Sequence, residues 1–172
     1  MADGERLFFA LLPPPAIQAE LGRLAAWCER RCGGVAVASE DIHLTALFLG
    51  DLRAGQVDAV RRAAQGVRFA PFELRLDRIE YWPGPRLLCA VPTQPLPAAT
   101  ALAATLRAAV RDVVAPAARP FVAHVTLLRR PRRLQEVAMT PLAWSVTELC
   151  LLRSLRPARR PRYELVDAWP CA

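Results

Sequence analysis

The spacing of apolar residues along the chain predicts three helices. Ile17, Leu21, Leu24 and Cys28 recur at helical spacing, which predicts a helix over residues 16–31 that ends at the Gly33-Gly34 pair. The same periodicity predicts helices over residues 54–66 and 98–114, the latter bounded by proline on both sides. All three segments carry polar residues between the apolar ones, so each helix should bury one face only.

Other segments have the pattern of strands. Continuous apolar runs at residues 6–12, 43–49 and 121–128 predict buried strands, and residues 35–38 predict a short extended piece. Strict alternation predicts long strands over residues 69–82 and 144–152. The turn Pro83-Gly84-Pro85 makes residues 86–91 the hairpin partner of the first of these, and residues 162–166 predict a closing strand.

The order of these elements predicts an α+β fold, with antiparallel sheet and helices packed outside it. A doubly wound parallel fold is disfavoured, because the chain lacks a glycine fingerprint between a strand and a helix. No low-complexity linker divides the sequence, so we expect residues 1–172 to form a single domain.

Composition adds charge to this picture. The chain of 172 residues has a formal net charge of +7, and all 23 of its basic residues are arginine. The planar guanidinium can bond two phosphate oxygens at once, so a polyanionic partner is favoured. The absence of lysine is also what a GC-rich genome would produce, but the electrostatic attraction is the same in either case.

Cysteine usage and the N-terminal segment bear on location. The five cysteines are odd in number and irregularly spaced, which fits neither a disulfide framework nor a four-ligand zinc site. The apolar run at residues 7–12 is too short for a signal peptide core or a membrane span. We therefore expect a cytoplasmic protein without membrane attachment.

Both histidines of the chain lie in matching settings. His43-Leu44-Thr45 and His124-Val125-Thr126 each open an apolar run, one in each half of the sequence. Residues i and i+2 of a strand project from the same face, so each His is accompanied by its Thr while the residue between them turns away. A single His-x-Thr has little weight, because a lone histidine is usually structural. The repetition, which uses every histidine present, predicts two similar lobes that deliver one His and one Thr each to a shared cleft.

This set of side chains suits the opening of a cyclic phosphate. One imidazole can act as base and the other as acid near neutral pH, on opposite sides of phosphorus. Two Thr hydroxyls and an Arg can then stabilise charge on the remaining phosphate oxygens. No carboxylate pattern with metal-ligand spacing lies near either histidine, so we expect neither a metal nor a cofactor.

The twin motifs and their flanks resemble the 2H phosphoesterase superfamily, and within it the RNA 2′,3′-cyclic phosphodiesterases, also called 2′-5′ RNA ligases. The segments that carry the resemblance are Arg6-Leu7-Phe8-Phe9-Ala10, Asp41-Ile42-His43-Leu44-Thr45 with Phe48-Leu49-Gly50, and Arg119-Pro120-Phe121 leading to His124-Val125-Thr126-Leu127-Leu128-Arg129.

The resemblance implies two pseudo-symmetric lobes around a central cleft and a reaction that converts an RNA 2′,3′-cyclic phosphate into a 2′-phosphomonoester. It implies that His43 is the proton donor, His124 the proton acceptor, and Thr45 and Thr126 the phosphate-binding hydroxyls. It also implies a possible reversible 2′-5′ ligation of RNA, with tRNA halves as partners. We expect the enzyme to act as a monomer.

Further residues are candidates for RNA binding. Arg129 and Arg130 follow the second motif directly, although a solvated arginine-rich loop is an equally simple explanation. Phe48, Phe121, Tyr81 and Trp82 could stack a terminal base, or simply pack in the core. Two alternatives to the RNA enzyme stay open. One is a related enzyme for a small nucleotide cyclic phosphate, an ADP-ribose cyclic phosphate or 2′-5′ oligoadenylate, and the other is a non-catalytic protein that binds RNA ends.

Overall fold

A computed structural model of the protein describes residues 4–116, 119–155 and 161–172. Its three helices lie where the periodicity predicts them: α1 (Pro15–Cys32), α2 (Ala54–Gln65) and α3 (Pro97–Val110). Proline occupies the first turn of both α1 and α3, where its missing N–H leaves no intrahelical bond unmade. The last turn of α1 carries Arg30 and Arg31, whose charges favour the negative end of the helix dipole.

The strands found in the described part of the chain are β1 (Glu5–Leu11), β2 (Val35–Ala36), β3 (Leu44–Leu52), β4 (Phe72–Leu76), β5 (Arg78–Trp82), β6 (Leu87–Val91), β7 (Val125–Arg129), β8 (Leu142–Val146), β9 (Glu148–Ser154) and β10 (Tyr163–Pro170). A single turn of 3-10 helix, Ser39–Asp41, precedes β3. The α+β class predicted from the sequence is confirmed.

Most of these strands belong to one antiparallel sheet. Its order is β10-β9-β1-β3-β7-β6-β5, with β2 added beside β7, while β4 and β8 pair separately. The sheet consists of two halves that meet between β3 and β7, where the register contains the single pair Leu44 and Val125. We call this pair the joint.

The two halves repeat the same arrangement. In the first half, α1 comes between β1 and β3 along the chain, and these two strands pair antiparallel. In the second half, α3 comes between β6 and β7, which also pair antiparallel. Each helix crosses to the other half, because α1 packs against β7 and α3 packs against β3. The two predicted lobes are therefore present, and each one packs its helix against the sheet of the other.

The core lies between the sheet and the helices. Alternate residues of β1 (Leu7, Phe9 and Leu11) are buried in the main cluster together with Leu21 of α1 and Leu106 of α3. Each such side chain contributes about 1.5–3 kcal/mol through burial. The intervening residues of β1 face the other way, and a second, smaller cluster forms there from Phe8, Ala10, Cys150 and Leu152.

The prediction of two long alternating strands was wrong. Residues 69–82 form β4 and β5, which separate at Asp77 and join different sheets. Residues 144–152 likewise divide at Thr147 into β8 and β9. The apolar positions change phase across Asp77, from Phe72, Leu74 and Leu76 to Ile79 and Tyr81, and β9 buries four successive residues, 149–152. Each half has the apolar content of a strand, so the prediction joined two strands into one.

Two further boundaries differ from the predictions. The strand expected from Phe121 begins only at Val125, and α3 ends at Val110 before an irregular turn at residues 111–113. Among the described residues, no helix combines the length and the apolar character that crossing a membrane would require.

The Gly33-Gly34 pair allows β2 to approach the end of β7. Both glycines have positive φ, 65° and 100°. A Cβ on Gly34 would lie 2.7 Å from the carbonyl oxygen of Arg129 and 2.8 Å from that of Arg130. These contacts are with backbone, which a side-chain rotation cannot relieve. Glycine is therefore required here by conformation and by space together.

We predict that Gly34→Ala lowers the free energy of unfolding by about 2–4 kcal/mol, because it combines an unfavourable φ with a backbone clash. Urea unfolding followed by circular dichroism would measure the change. The matched control is Gly55→Ala in α2, where an added Cβ meets nothing within 4 Å. The control should be neutral or stabilising by up to about 1 kcal/mol. Equal effects of the two substitutions would contradict this account.

Candidate active site

The joint places the two His-x-Thr motifs side by side. His43 and His124 directly precede the paired residues Leu44 and Val125, and Thr45 and Thr126 directly follow them, so this one pair brings the two motifs next to each other. Leu44 and Val125 are fully buried on the helix side of the sheet. The flanking side chains therefore project from the opposite face. We call the four residues His43, Thr45, His124 and Thr126 the His-Thr quartet.

Within the quartet the two histidines are diagonal neighbours. Their proximity is also visible in their electrostatics, since the charge of His124 disfavours protonation of His43. All four side chains are half-buried and retain access to solvent.

His43 lies under an aromatic cover. Its ring centroid is 4.9 Å from that of Phe8 and 4.9 Å from that of Tyr163, which meets it edge-on. Phe8 comes from β1 and Tyr163 from the start of β10. The backbone N–H of Arg162 donates to the buried carboxylate of Asp41 at 2.7 Å, which fixes this end of β10 beside the site.

His124 has a different aromatic neighbour. Its ring centroid is 4.4 Å from that of Trp82, at the end of β5, with 47° between the planes. The indole N–H of Trp82 donates to Glu80 at 3.1 Å, which holds the indole in place. The aromatic residues that contact His43 thus come from β1 and β10, and the one that contacts His124 comes from β5.

Both histidines are oriented by the same hydrogen bond. His43 Nδ1 lies 2.8 Å from the carbonyl oxygen of Asp41, and His124 Nδ1 lies 2.8 Å from the carbonyl oxygen of Val122. A carbonyl oxygen only accepts, so each Nδ1 carries the proton and donates it. The neutral rings therefore leave Nε2 unprotonated, which is the atom that can take or deliver a proton at a substrate.

Burial makes both imidazoles weaker bases. Loss of hydration lowers the pKa of His43 to about 4, against the favourable hydrogen bond to Asp41 and with smaller contributions from the charges of Arg129 and His124. Burial also lowers the pKa of His124 below its ordinary value, partly opposed by the bond to Val122. In the free protein at neutral pH both rings are neutral.

The remaining polar groups cluster around this pair. Burial raises the pKa of Cys89 to about 12, while a hydrogen bond from Thr126 and the charge of Arg129 act in the opposite direction. Arg129, the last residue of β7, thus lies close enough to influence both Cys89 and His43. Of the quartet, His43 is the member whose pKa the charge of Arg129 lowers.

A groove adjoins one side of the quartet. It has a volume of about 920 Å³ and is lined by Thr45 and His124, by the following residues of β3, by one face of α3 and by residues 119–122. Phe48 and Phe121 both line it. Phe48 is 42% exposed, and the guanidinium of Arg6 lies 5.0 Å from its ring centroid.

The other sequence-derived candidates are less directly placed. Tyr81 is half-buried and packs against the main core, as does Phe121. Arg130 is exposed, has φ of 53°, and its backbone N–H donates to the carbonyl of Arg86 at 2.8 Å. RNA binding by Arg130 and Tyr81 stays a prediction.

Sequence reasoning missed Asp41, Phe8 and Tyr163 as parts of the site. Asp41 offered no signal for this role, because the group that orients His43 is a backbone carbonyl, which every residue has. In the structure its carbonyl accepts from His43 and its carboxylate accepts from Arg162. Nothing in the sequence indicates that Tyr163 reaches His43. In the regions that the structure describes, His, Cys, Asp and Glu form no group of three or more that could hold a metal.

A model of the 2′-5′ RNA ligase superfamily matches residues 13–158, most of the chain. The chain belongs to this superfamily. The chain is similar to the RNA 2′,3′-cyclic phosphodiesterase of Escherichia coli. The two are 32% identical over 172 residues, which covers 98% of each chain. The protein of the same name from Thermus thermophilus is 29% identical over 176 residues, covering 94% of this chain and 88% of its own.

Solved structures agree with this membership. The crystal structure of E. coli LigT complexed with 3′-AMP has a TM-score of 0.86 to this superfamily member at 30% identity, and the match covers 99% of each chain. The crystal structure of T. thermophilus TT0787 has a TM-score of 0.78 at 25% identity, covering 96% of this chain and 97% of that one.

The arrangement predicts how the histidines titrate. In the free protein His43 should stay neutral from pH 8 down to about pH 5 and gain its proton only near pH 4, and His124 should protonate below its ordinary pKa. Inorganic phosphate should raise both pKa values, because an anion stabilises the imidazolium. NMR titration of the ring protons would measure this, and His124→Asn would assign the two signals. A pKa of His43 at or above 6.5 in the free protein would contradict it.

Proposed function

We propose that the protein hydrolyses RNA 2′,3′-cyclic phosphate ends to 2′-phosphomonoesters, without a metal, by acid–base catalysis between His43 and His124. The observation that carries the proposal is the register at the joint, which sets two His-Thr pairs on one face with both Nδ1 atoms tied to carbonyls. The names of the curated relatives, RNA 2′,3′-cyclic phosphodiesterase, support this substrate and this enzyme class.

The reaction is an in-line displacement at phosphorus. His124 Nε2 takes a proton from water as its oxygen forms a bond to phosphorus. The bond between phosphorus and O3′ breaks, and O3′ receives a proton from His43 Nε2. The product has a 2′-phosphate and a 3′-hydroxyl. The two histidines exchange protonation states, and a proton returns to His43 through solvent.

The groups that we expect to hold the phosphate do not have to move when the substrate binds. Thr45 and Thr126 directly follow the paired residues Leu44 and Val125, which places each threonine on the same face as the histidine of its own motif. Their hydroxyls can donate to the two non-bridging oxygens, while Arg129 supplies positive charge. Because the groups are positioned before the substrate arrives, charge that develops in the transition state is stabilised at once.

Burial of His43 fits the role of proton donor when the substrate is present. An imidazolium whose pKa is lowered to about 4 gives up its proton readily. The substrate supplies the missing stabilisation, because its negative phosphate raises the pKa of both rings. The proton is therefore retained on His43 mainly when a substrate phosphate lies between the histidines.

The same residues could activate an alcohol, in place of water, as the nucleophile. If a 5′-hydroxyl of a second RNA attacks the cyclic phosphate, the product is a 2′-5′ phosphodiester, and the reaction is reversible because no water is consumed. Ligation of tRNA halves is thus an extension of the proposal that uses the same two proton transfers.

We further propose that residues 1–172 act as one domain, as a monomer in the cytoplasm. The sheet supports the single domain, because β1 lies between β3 and β9 and so joins segments from distant parts of the sequence. All five cysteines are free, and Cys28, Cys32, Cys89 and Cys150 are buried. This is compatible with a reducing compartment.

We predict that His43→Asn and His124→Asn each lower kcat/KM on a short RNA with a 2′,3′-cyclic end by at least about 100-fold. Asparagine keeps a donor near the position of Nδ1 and removes Nε2. The assay should contain EDTA and identify the product end by its sensitivity to a 2′-phosphate-specific enzyme. Unchanged thermal unfolding of the variants is the control. Loss of wild-type activity in EDTA, or a 3′-phosphate product, would contradict the mechanism.

A substrate panel separates the proposal from its nearest alternatives. We predict a higher kcat/KM for the cyclic-ended RNA than for 2′,3′-cyclic AMP, ADP-ribose cyclic phosphate or 2′-5′ oligoadenylate, because only the longer chain reaches the arginine side chains around the site. The preference should shrink as salt is raised. A non-catalytic RNA-end binder would instead turn over none of them and would bind the RNA equally well with either histidine replaced.

A further inference from the structure

Trp82 projects from the same face of the sheet as the His-Thr quartet. Glu80 of β5 pairs with Cys89 of β6, and Cys89 pairs with Thr126 of β7. Residues paired across strands point to the same face, and Trp82 follows Glu80 by two positions. The indole therefore belongs to the face of the site. It reaches across β6 to His124, and the two ring centroids lie 4.4 Å apart.

A carboxylate holds the indole. The indole N–H donates to one oxygen of Glu80 at 3.1 Å, and the other oxygen accepts from the guanidinium of Arg78 at 2.9 Å. Arg78 and Glu80 are both exposed, so the ion pair between them is weak and leaves Glu80 most of its charge. A hydrogen bond to an anion both fixes the indole and polarises it, which increases the electron density of its ring face.

His124 needs this second support because its other contact comes from an irregular segment. The carbonyl that accepts from His124 Nδ1 belongs to Val122, which is 52% exposed and lies outside any helix or strand. The corresponding carbonyl for His43 belongs to Asp41, which is 3% exposed and closes a turn of 3-10 helix. A strand positions a functional group more precisely than a loop does. Trp82, at the end of β5, supplies support of that kind to His124.

Most charged groups around His124 oppose a positive charge on its ring. They come from the groove, from the end of β7 and from the other side of the joint: Arg6, Arg107, Arg111, Arg119, Arg129 and His43. The neighbouring thiol of Cys89 is neutral, because burial raises its pKa to about 12. Glu80 has the opposite sign, and its carboxylate contacts the indole. An imidazolium at this position therefore needs a local source of stabilisation.

The ring face of tryptophan is such a source. A cation within about 6 Å of an aromatic centroid is attracted to the electrons of the ring face, and tryptophan attracts it more strongly than tyrosine or phenylalanine does. At 4.4 Å the indole of Trp82 lies well inside this range. His43, by contrast, contacts Phe8 and Tyr163. The histidine that gains a charge when the nucleophile gives up its proton thus has the stronger aromatic partner.

We propose that Trp82 is a positioning residue for the proton acceptor: held by Glu80, it fixes the ring of His124 and stabilises the positive charge that this ring gains. The inference rests on the proposed function, because it takes His124 as the group that receives the proton. It requires no contact between Trp82 and the RNA. If Trp82 stacked a base instead, its loss would weaken substrate binding and leave the chemical step intact.

The kinetics of Trp82→Leu separate these two roles. We expect kcat on a cyclic-ended RNA to fall at least about tenfold while KM stays within about threefold of wild type, because the indole acts in the transition state. Trp82→Phe, which keeps a weaker ring face, should lose less. The matched control is Trp27→Leu on α1, because Trp27 is also half-buried and has a guanidinium, that of Arg31, 5.0 Å from its ring centroid. This control should leave both constants unchanged.

A titration tests the charge directly and needs no turnover. In NMR titration of the ring protons of the free protein, Trp82→Leu should lower the pKa of His124. The acid dissociation constant of its imidazolium should rise about two- to fivefold, the equivalent of an exposed cation–π contact. The pKa of His43 should stay at about 4. Because His124 must be neutral to accept a proton, the acidic limb of the pH profile of kcat/KM should move to lower pH by the same factor.

A second substitution tests whether Glu80 acts through the indole, and it remains informative if Trp82→Leu fails to fold. Glu80→Gln keeps an acceptor for the indole N–H and removes the charge. In the wild-type background it should lower both the pKa of His124 and kcat, by less than Trp82→Leu does. In the Trp82→Phe background, which has no N–H to hold, it should have no further effect.

Four results would overturn the inference: a higher KM with unchanged kcat in Trp82→Leu, a pKa of His124 that is unchanged or higher in that variant, equal losses in Trp27→Leu, or an equal effect of Glu80→Gln in both backgrounds. Failure of the wild-type protein to hydrolyse the cyclic end would instead overturn the proposed function. The titration would still decide whether the indole stabilises the charged ring.

Discussion

The backbone pair between Leu44 and Val125 is the contact on which the site depends. Among the described residues it is the single pair between β3 and β7, yet it fixes the relative register of the two halves of the sheet. Both side chains are fully buried against the helices, so the joint is anchored by apolar packing on one face. A slip of one residue would send the histidines and threonines to the opposite face and destroy the site.

The site combines near-symmetry of backbone with asymmetry of environment. Both histidines use Nδ1 to donate to the carbonyl two residues earlier. Their surroundings differ, because His43 is enclosed by Phe8 and Tyr163 while His124 contacts Trp82 and faces the groove. The difference arises because β1 and β10 supply the neighbours of His43, whereas β5 and the groove lie beside His124. Two similar motifs can in this way acquire distinct roles.

Much of this structure is accessible from the sequence because it is encoded locally. The helices follow from apolar periodicity, with a proline at the start of α1 and of α3, and the pairing of each His with its Thr follows from strand geometry. Which sheet each half joins, on either side of Asp77 and of Thr147, is not encoded locally. The approach of Tyr163 to His43 is equally inaccessible, since it requires β10 to be fixed through Arg162 and Asp41. The groove exists only because of the relative placement of β3, α3 and residues 119–124.

The central position of β1 has a consequence for biosynthesis. One edge of β1 pairs with β3, which follows it closely, but the other edge pairs with β9, far along the sequence. A ribosome must therefore produce nearly the whole described chain before that edge can be covered. Until then an apolar strand presents unpaired N–H and C=O groups, the state in which nascent proteins are most prone to aggregate and most dependent on chaperones. Because the ring of Tyr163 belongs to β10, which pairs with β9, the environment of His43 is also completed at the end of synthesis.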